Sequence, residues 1–470
     1  MHGIGESVKI AATIGPACQD PAVLKAMLAE GVDAFRINAS HAEPDSVPRW
    51  VSLIRKAGRD SRRDVAVMLD LQGIKRRIGD LDEPVLLKEG ADVWLATKGD
   101  VPRGRIPAPL RSIRTHLKKG TSVFLDDGFL RLEVESVGAK EVRCKVLRGG
   151  FLKGRAGINL PGLPVSTRIP TKRDLEHMAA GVEAGVDFFA LSFVRSARDL
   201  WRCRKHAAGI PIIAKIERPE AVTNIDEICT ASDGILVARG DLAVEMKPEM
   251  LPVLQKSLVG AANRTRKPVM VATEMLASMV YNPRPTRAEL TDVGNAVLDG
   301  ADATLLSDET AIGRDPVRAV RYMARIISTV EGSLLTYDLN LPRPRGESAT
   351  RADWAVADAA VETALKLGAR AIVAITGSGR TARLISAGRP SVPIFSFSTD
   401  PAVRRRVALM WGVFADIVKP IRDPETIIRH VVTRLLRQGH VGEGDSVVVV
   451  HGSPLWEEGT KTNSVRVVTA

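Results

Sequence analysis

Short apolar runs, each closed by a turn signal and followed by an amphipathic stretch, recur along most of the chain. They lie at Lys9–Gly15, Ala34–Ser40, Val65–Leu71, Phe188–Val194, Ile212–Arg218, Gly234–Asp241, Val269–Met275 and Ala303–Ser307. Their near-continuous apolar character is that of parallel strands covered on both faces. Stretches such as Asp174–Gly185 read as the intervening helices, here with a glycine suited to a C-cap. Eight strand–helix units in succession favour an α/β fold of the (β/α)8 barrel type over an open sheet.

Two regions break this rhythm. Between the third and fourth runs the pattern turns to Val-rich alternation, as in Leu130–Glu135 and Glu141–Leu147, with Asp126-Asp127-Gly128 as a turn. That texture predicts a small all-β unit inserted in a βα loop. Beyond the eighth run, Asn340–Glu347 reads as a linker, and runs at Ala371–Thr376, Val392–Phe397 and Ser446–Val450 predict a further α/β unit. The expected division is 1–78 and 167–340 for the barrel, 79–166 for the inserted β domain and 341–470 for the C-terminal domain.

The bulk numbers narrow the class. The 470 residues exceed one ordinary core. A hydrophobic share of 45% with 26% charged residues is that of a globular chain, and only 4% aromatics means a core of aliphatic side chains. No apolar stretch reaches the length of a membrane helix, and Met1–Lys9 lacks a signal-peptide core. Four scattered cysteines without close pairing fit buried thiols in a reducing cytoplasm. The net charge of +12 raises nucleic-acid binding, but the basic residues are dispersed and not interleaved with stacking aromatics, so a solvated basic surface is expected.

The candidate chemistry sits at strand ends. Lys215 and Glu217 alternate on one face of their strand, where charges are costly unless paired or bound to an ion. The next strand ends in Arg239-Gly240-Asp241, and two carboxylates on adjacent strand ends suit Mg2+, with positions left for substrate oxygens. A structural ion-pair cluster is the plainer alternative, but the lysine and the Gly-Asp turn beside the carboxylates favour function. Arg36, Asn38 and Ser40 share one face of the second strand, Asp70 ends the third, and Arg77 follows. Arginine forks suit phosphate or carboxylate, and the Asn, Ser and Asp oxygens suit a monovalent cation. Gly149–Ala156 half-matches a phosphate loop but lacks its lysine and hydroxyl. Gly377–Ala382 fits a glycine-rich turn before a helix. It is read as a dinucleotide turn, as an anion nest aided by Thr376, Ser378, Gly379, Arg380 and Thr381, or as a plain turn.

In their order along the chain, the segments AATIGPA (Ala11–Ala17), FRINASH (Phe35–His41), LDLQGIKRRIG (Leu69–Gly79), FLDDG (Phe124–Gly128) and INLPG (Ile158–Gly162) resemble pyruvate kinases. So do IAKIE (Ile213–Glu217), SDGILVARGDL (Ser232–Leu242), ATEML (Ala272–Leu276), PRPTRAE (Pro283–Glu289), NAVLDGAD (Asn295–Asp302) and SDETA (Ser307–Ala311). The resemblance implies a barrel, a β lid, an allosteric C-terminal domain, a cytoplasmic homotetramer, and transfer of phosphate from phosphoenolpyruvate to ADP in glycolysis, giving pyruvate and ATP. It implies Mg2+ (or Mn2+) on Glu217 and Asp241, with Lys215 stabilising the phosphoryl group and Arg36 contacting the substrate phosphate. It implies Gly240, Asp241 and Thr273 around the substrate carboxylate, and Thr273 and Ser307 where the enolate is protonated. Asn38, Ser40, His41 and Arg77 are implied near the nucleotide phosphates. Asn38, Ser40, Asp70 and the Leu71 carbonyl are implied for a monovalent cation.

Leu71, Gln72, Lys75 and Ile78 are the combination that resembles K+-independent members, so the Lys75 ammonium is expected to take the place of K+. The Thr376–Thr381 turn resembles the family's site for a phosphorylated effector. Departures from the family pattern are Ala156 at a lid lysine, Glu274 at a glutamine, Ile74 at a proline, and Asp308, Ala42 and Ala243 at glycines. Two alternatives stay open: a metal-dependent phosphoenolpyruvate or pyruvate lyase, and a non-catalytic paralogue serving as a binding scaffold.

Overall fold

The structure is a computed structural model and describes residues 6–74, 76–97, 104–126, 128–160, 168–333, 351–457 and 459–470. Eight parallel strands close into a barrel in chain order: Lys9–Thr13, Val32–Asn38, Ala66–Asp70, Phe188–Leu191, Ile212–Ile216, Gly234–Ala238, Val269–Ala272 and Ala303–Leu306. Seven of the expected runs contain a strand whole, and the second strand, Val32–Asn38, starts two residues before its run. The first pairs with the last through Lys9 with Ala303 and Ala12 with Leu306, which closes the ring. The helix Lys172–Ala184 ends on Gly185 in the left-handed region (φ 72°), as its sequence suggested.

Strand alternation explains how this barrel makes a site. Inward positions near the strand starts and middles are small or apolar: Ala11, Ala34, Ala66, Met68, Ala190, Ile213, Leu236 and Ala303 form one buried cluster. Two residues further along the same faces come Thr13, Arg36, Asp70, Ser192 and Lys215. The interior therefore turns from apolar to ionic along its axis, and the ionic layer lies at the C-terminal ends, where barrel enzymes place their chemistry. Alanines below that layer leave room for long stems above it.

Strands between the third and fourth barrel strands form a six-stranded sheet and a separate antiparallel pair, Val85–Leu87 with Gly150–Leu152. Leu130–Val137 and Glu141–Arg148 pair antiparallel, their alternation putting Leu132, Val134, Val142 and Cys144 into a core of their own. The chain leaves and re-enters the barrel side by side, with Ile78 N–H donating to Ala156 O (3.0 Å) and Ile158 N–H to Arg76 O (3.0 Å).

The C-terminal unit is a five-stranded sheet in the order Val413–Ile417, Ile394–Ser398, Ala371–Ile375, Ser446–Gly452, Thr462–Thr469, the last strand antiparallel. It packs against the barrel's N-terminal end. Leu409 joins the barrel's inner cluster, and the Arg389–Asp302 (2.9 Å) and Arg405–Asp187 (2.8 Å) ion pairs cross the junction. The expected linker Asn340–Glu347 lies outside the described residues. Among the described residues no helix is long and apolar enough to cross a membrane.

Candidate active site

The fifth strand delivers Lys215 into the centre of the ionic layer. Its ammonium lies 2.7 Å from Glu217 Oε1 and 3.2 Å from Asp70 Oδ1, and it donates to Ser192 Oγ at 2.8 Å. Asp70 also takes the Arg36 Nε–H at 2.7 Å and the Ser192 hydroxyl at 3.3 Å, while Arg36 Nη1 donates to Thr13 Oγ1 at 3.1 Å. Two cations and two carboxylates are thus interlocked with side-chain exposures of 12% or less. Burial opposes every charge here, and the partners decide the outcome. Lys215 keeps its proton: burial lowers its pKa, but Asp70 and Glu217 raise it further. Asp70 stays ionised because Lys215 and Arg36 outweigh its burial. Glu217 is pushed up to about 7 by burial, with Lys215 pulling down and Asp241 pushing up.

Glu217 is aimed by backbone as well as by charge. Its Oε2 accepts the Phe193 amide at 2.7 Å, and Phe193 adopts φ 57°, a left-handed conformation uncommon outside glycine. Asp241 stands in the first turn of the helix Arg239–Glu245, at the end of the neighbouring strand. Among the described residues its carboxylate has no hydrogen bond or ion pair, and its charge reaches Glu217 and Lys215. A half-buried carboxylate without a protein partner, beside one with lone pairs to spare, is an oxygen donor set suited to a hard divalent cation such as Mg2+ or Mn2+.

Around the next strand end, Gly240 N–H donates to Thr273 Oγ1 at 2.8 Å. Thr273 (φ 71°) and Glu274 (φ 53°) are consecutive left-handed residues, strain of a kind concentrated at functional sites. Arg239 holds the turn, donating to Thr273 O at 2.6 Å and pairing with Asp292 at 2.7 Å. The Glu274 carboxylate is exposed, as is Asp308. Ser307 closes the eighth strand, its N–H bonded to Glu309 at 2.7 Å.

The structure gathers Lys215, Glu217, Asp70 and Arg36 into one network and Gly240 with Thr273 into another. Asn38 and Ser40 form a local turn, Ser40 N–H donating to Asn38 Oδ1 at 3.1 Å, and Leu71 N–H is held by Ala190 O at 2.9 Å. Arg77 lies on the paired connection to the inserted sheet, donating to Arg155 O at 3.1 Å. His41 follows Ser40 on the same loop, its N–H bonded to Asn38 O at 3.0 Å. Lys75 lies outside the described residues. Ala156 is buried in the inserted unit's core, and Arg155 pairs with Asp80 at 2.7 Å on the surface.

Three groups escaped the sequence reading: Ser192, the Phe193 amide and Thr13. Ser192 had a signal, a hydroxyl at an inward position of an apolar run. The amide had none, since its role depends on a backbone angle.

In the C-terminal unit, Gly379 N–H is used by Thr376 Oγ1 at 2.9 Å, Thr381 Oγ1 bonds Thr462 Oγ1 at 2.9 Å, and Arg380 Nε donates to Asp353 at 2.8 Å. Ser378 is exposed at the tip of the turn. The turn faces a cavity of about 570 Å3 that is also lined by Trp456, Glu457 and Lys461. Most of the expected anion-binding groups on that face are therefore engaged within the protein.

A closed parallel barrel that interlocks a lysine, an arginine and paired carboxylates at the C-terminal ends of its strands defines a barrel enzyme, and the comparisons with known proteins make it one of the kinase class of transferases. The family model "Pyruvate kinase, barrel domain" matches residues 6–320, and "Pyruvate kinase, alpha/beta domain" matches residues 354–468. The chain is 40% identical over 466 residues to a pyruvate kinase of Agrobacterium vitis, covering 98% of both chains. It is 39% identical over 469 residues to that of Geobacillus stearothermophilus, covering 98% of this chain and 79% of the relative. The crystal structure of a pyruvate kinase from Cryptosporidium parvum superposes with a TM-score of 0.87 at 34% identity, covering 99% of this chain and 96% of that one. The chain belongs to the pyruvate kinase family.

Proposed function

We propose that the protein transfers the phosphoryl group of phosphoenolpyruvate to ADP, forming ATP and pyruvate. The observation that carries this is the interlocked Lys215–Glu217–Asp70–Arg36 network beside an Asp241 carboxylate without a protein partner among the described residues. Glu217 and Asp241 would hold Mg2+ or Mn2+, which supplies positive charge to phosphate oxygens. In the transfer, the bond from phosphorus to the enol oxygen breaks and a bond from phosphorus to a terminal ADP oxygen forms. The enolate left behind takes a proton at carbon and becomes pyruvate. Such a reaction asks the protein for position and charge more than for covalent chemistry.

Lys215 and Arg36 bring fixed cations to the phosphoryl group. Thr273, Gly240 and Asp241 receive the substrate carboxylate, which competes for the Gly240 amide with its bond to Thr273 Oγ1. Thr273 and Ser307 border the carbon to be protonated. Asn38, Ser40, His41 and Arg77 serve the nucleotide phosphates, and Arg77's place on the paired connection links lid position to nucleotide. The assembly is a cytoplasmic homotetramer, and a phosphorylated effector acts at Thr376–Thr381.

The reaction proceeds without K+. Asp70 already has Lys215, Arg36 and Ser192 as partners, so the Asn38, Ser40, Asp70 and Leu71 carbonyl group of oxygens has less need of a mobile cation, and Lys75 supplies a tethered one. A coupled assay of pyruvate formation with Mg2+, in buffer free of K+ and NH4+, tests both parts. Turnover nearly equal with and without K+ is expected. No turnover in either buffer overturns the reaction, and turnover only with K+ overturns the Lys75 reading alone.

A further inference from the structure

A group of cations without a role in the proposed reaction lies at the opposite end of the barrel. A cavity of about 490 Å3 separates the N-terminal ends of the barrel strands from the C-terminal unit, within the size range of small-molecule sites. Its floor is apolar, built from Phe188, Ile213, Met270 and Leu409. Its polar lining includes Arg380, which is paired with Asp353, and three further cations: Lys267 from the barrel and Arg383 and Arg406 from the C-terminal unit.

None of these three has a carboxylate partner among the described residues. Lys267 donates only to the carbonyl of Ser232, and Arg383 only to that of Arg266 (2.6 Å). Arg406 makes no hydrogen bond or ion pair there, and its buried Nε is unsatisfied. The two aspartates of the wall are already neutralised: Asp233 by Arg204 at 3.0 Å and Asp302 by Arg389 at 2.9 Å. Burial and the neighbouring Arg383 pull Lys267 down to about 8, which is what a cation lacking a counter-charge undergoes.

Uncompensated cations withdrawn from water are costly, and a bound anion removes that cost. Three cations favour a doubly charged phosphate monoester over a carboxylate, and the apolar floor favours a flat, weakly polar body attached to it. We propose that this junction cavity binds a phosphate monoester with a flat apolar or heteroaromatic body, its phosphate held by Lys267, Arg383 and Arg406. The site goes beyond the proposed reaction; it shares Gly377, Ser378 and Arg380 with the cavity beside Thr381, but Lys267, Arg383 and Arg406 line this one and not the other. Its occupant touches the starts of the strands Gly234–Ala238 and Val269–Ala272, which lead to Asp241 and Thr273 at their other ends.

Calorimetry on the full-length protein with adenosine 5′-monophosphate, adenosine and inorganic phosphate tests this. The monophosphate is expected to bind at least about tenfold more tightly than either fragment. Arg406→Met and Lys267→Met should each weaken it at least about tenfold, Arg406→Lys should recover part of the loss, and Lys461→Glu in the other cavity should leave affinity unchanged. Melting curves identify any variant that fails to fold, in which case Arg406→Met, on a partly exposed side chain, decides. Absence of monophosphate binding, affinity unchanged in Arg406→Met, or loss confined to Lys461→Glu would each overturn the assignment.

Discussion

Replacing Lys215 by Met removes the one ammonium that touches Glu217, Asp70 and Ser192 together while filling nearly the same volume. Loss of one neutral donor to developing charge costs about 10²- to 10³-fold in turnover, and a charged donor is about twice as strong in energy. The expected fall in kcat is therefore about 10⁴-fold or more. KM should change little, because the contact matters most at the transition state. Stability should suffer far less. Removing one partner of a buried pair costs about 3–5 kcal/mol, but Asp70 keeps Arg36 at 2.7 Å and Glu217 keeps the Phe193 amide at 2.7 Å. Glu217, already near 7, can take up a proton once Lys215 no longer opposes it. A loss of about 2 kcal/mol at neutral pH is expected, read from urea denaturation, with kcat from the coupled assay. A folded mutant with kcat within tenfold of the parent would refute the role of Lys215. A stability loss well above 5 kcal/mol with kcat preserved in the folded fraction would show the cluster to be structural.

Asp241→Asn should weaken Mn2+ binding by at least about tenfold, measured by electron paramagnetic resonance without substrate, because a carboxylate donor is lost while Glu217 remains. Thr273→Ala should reduce kcat about 10- to 100-fold and leave nucleotide binding intact, since it frees the Gly240 amide and removes a hydroxyl from the strained turn; unchanged steady-state kinetics would count against that assignment. Arg389→Met should destabilise the protein by about 3–5 kcal/mol in urea, leaving Asp302 buried without its cation. A loss below 1 kcal/mol would mean that Asp302 finds water or another partner.

The barrel was legible because each parallel strand is covered on both faces and must be apolar throughout, so any charge within a run stood out. Lys215, Glu217, Arg36 and Asp70 were visible for that reason. What stayed hidden depends on long-range placement. Val413–Ile417 and Thr462–Thr469 are edge strands with partly exposed positions, so the apolar signal is diluted. Phe193 meets Glu217 only because its φ turns positive. Leu409 completes the barrel's interior from a segment more than a hundred residues beyond the last barrel strand, which no local pattern announces. In the Thr376–Thr381 turn the motif was legible, but its donors' partners, Asp353 and Thr462, were not.

The inserted β unit has its own hydrophobic core, joined to the barrel by two adjacent stretches of backbone, and this divides the thiols of the protein. Cys144 lies in that core, while Cys18, Cys203 and Cys229 lie in the barrel's, and all four are buried. Burial pushes Cys144 up to about 12, so it reacts only when its surroundings open. Timed exposure to a thiol reagent therefore separates two kinds of breathing: alkylation of Cys144 reports transient unfolding of the insert, and alkylation of the other three reports loss of the barrel. A ligand that clamps the insert against the barrel would slow the first clock and leave the second unchanged.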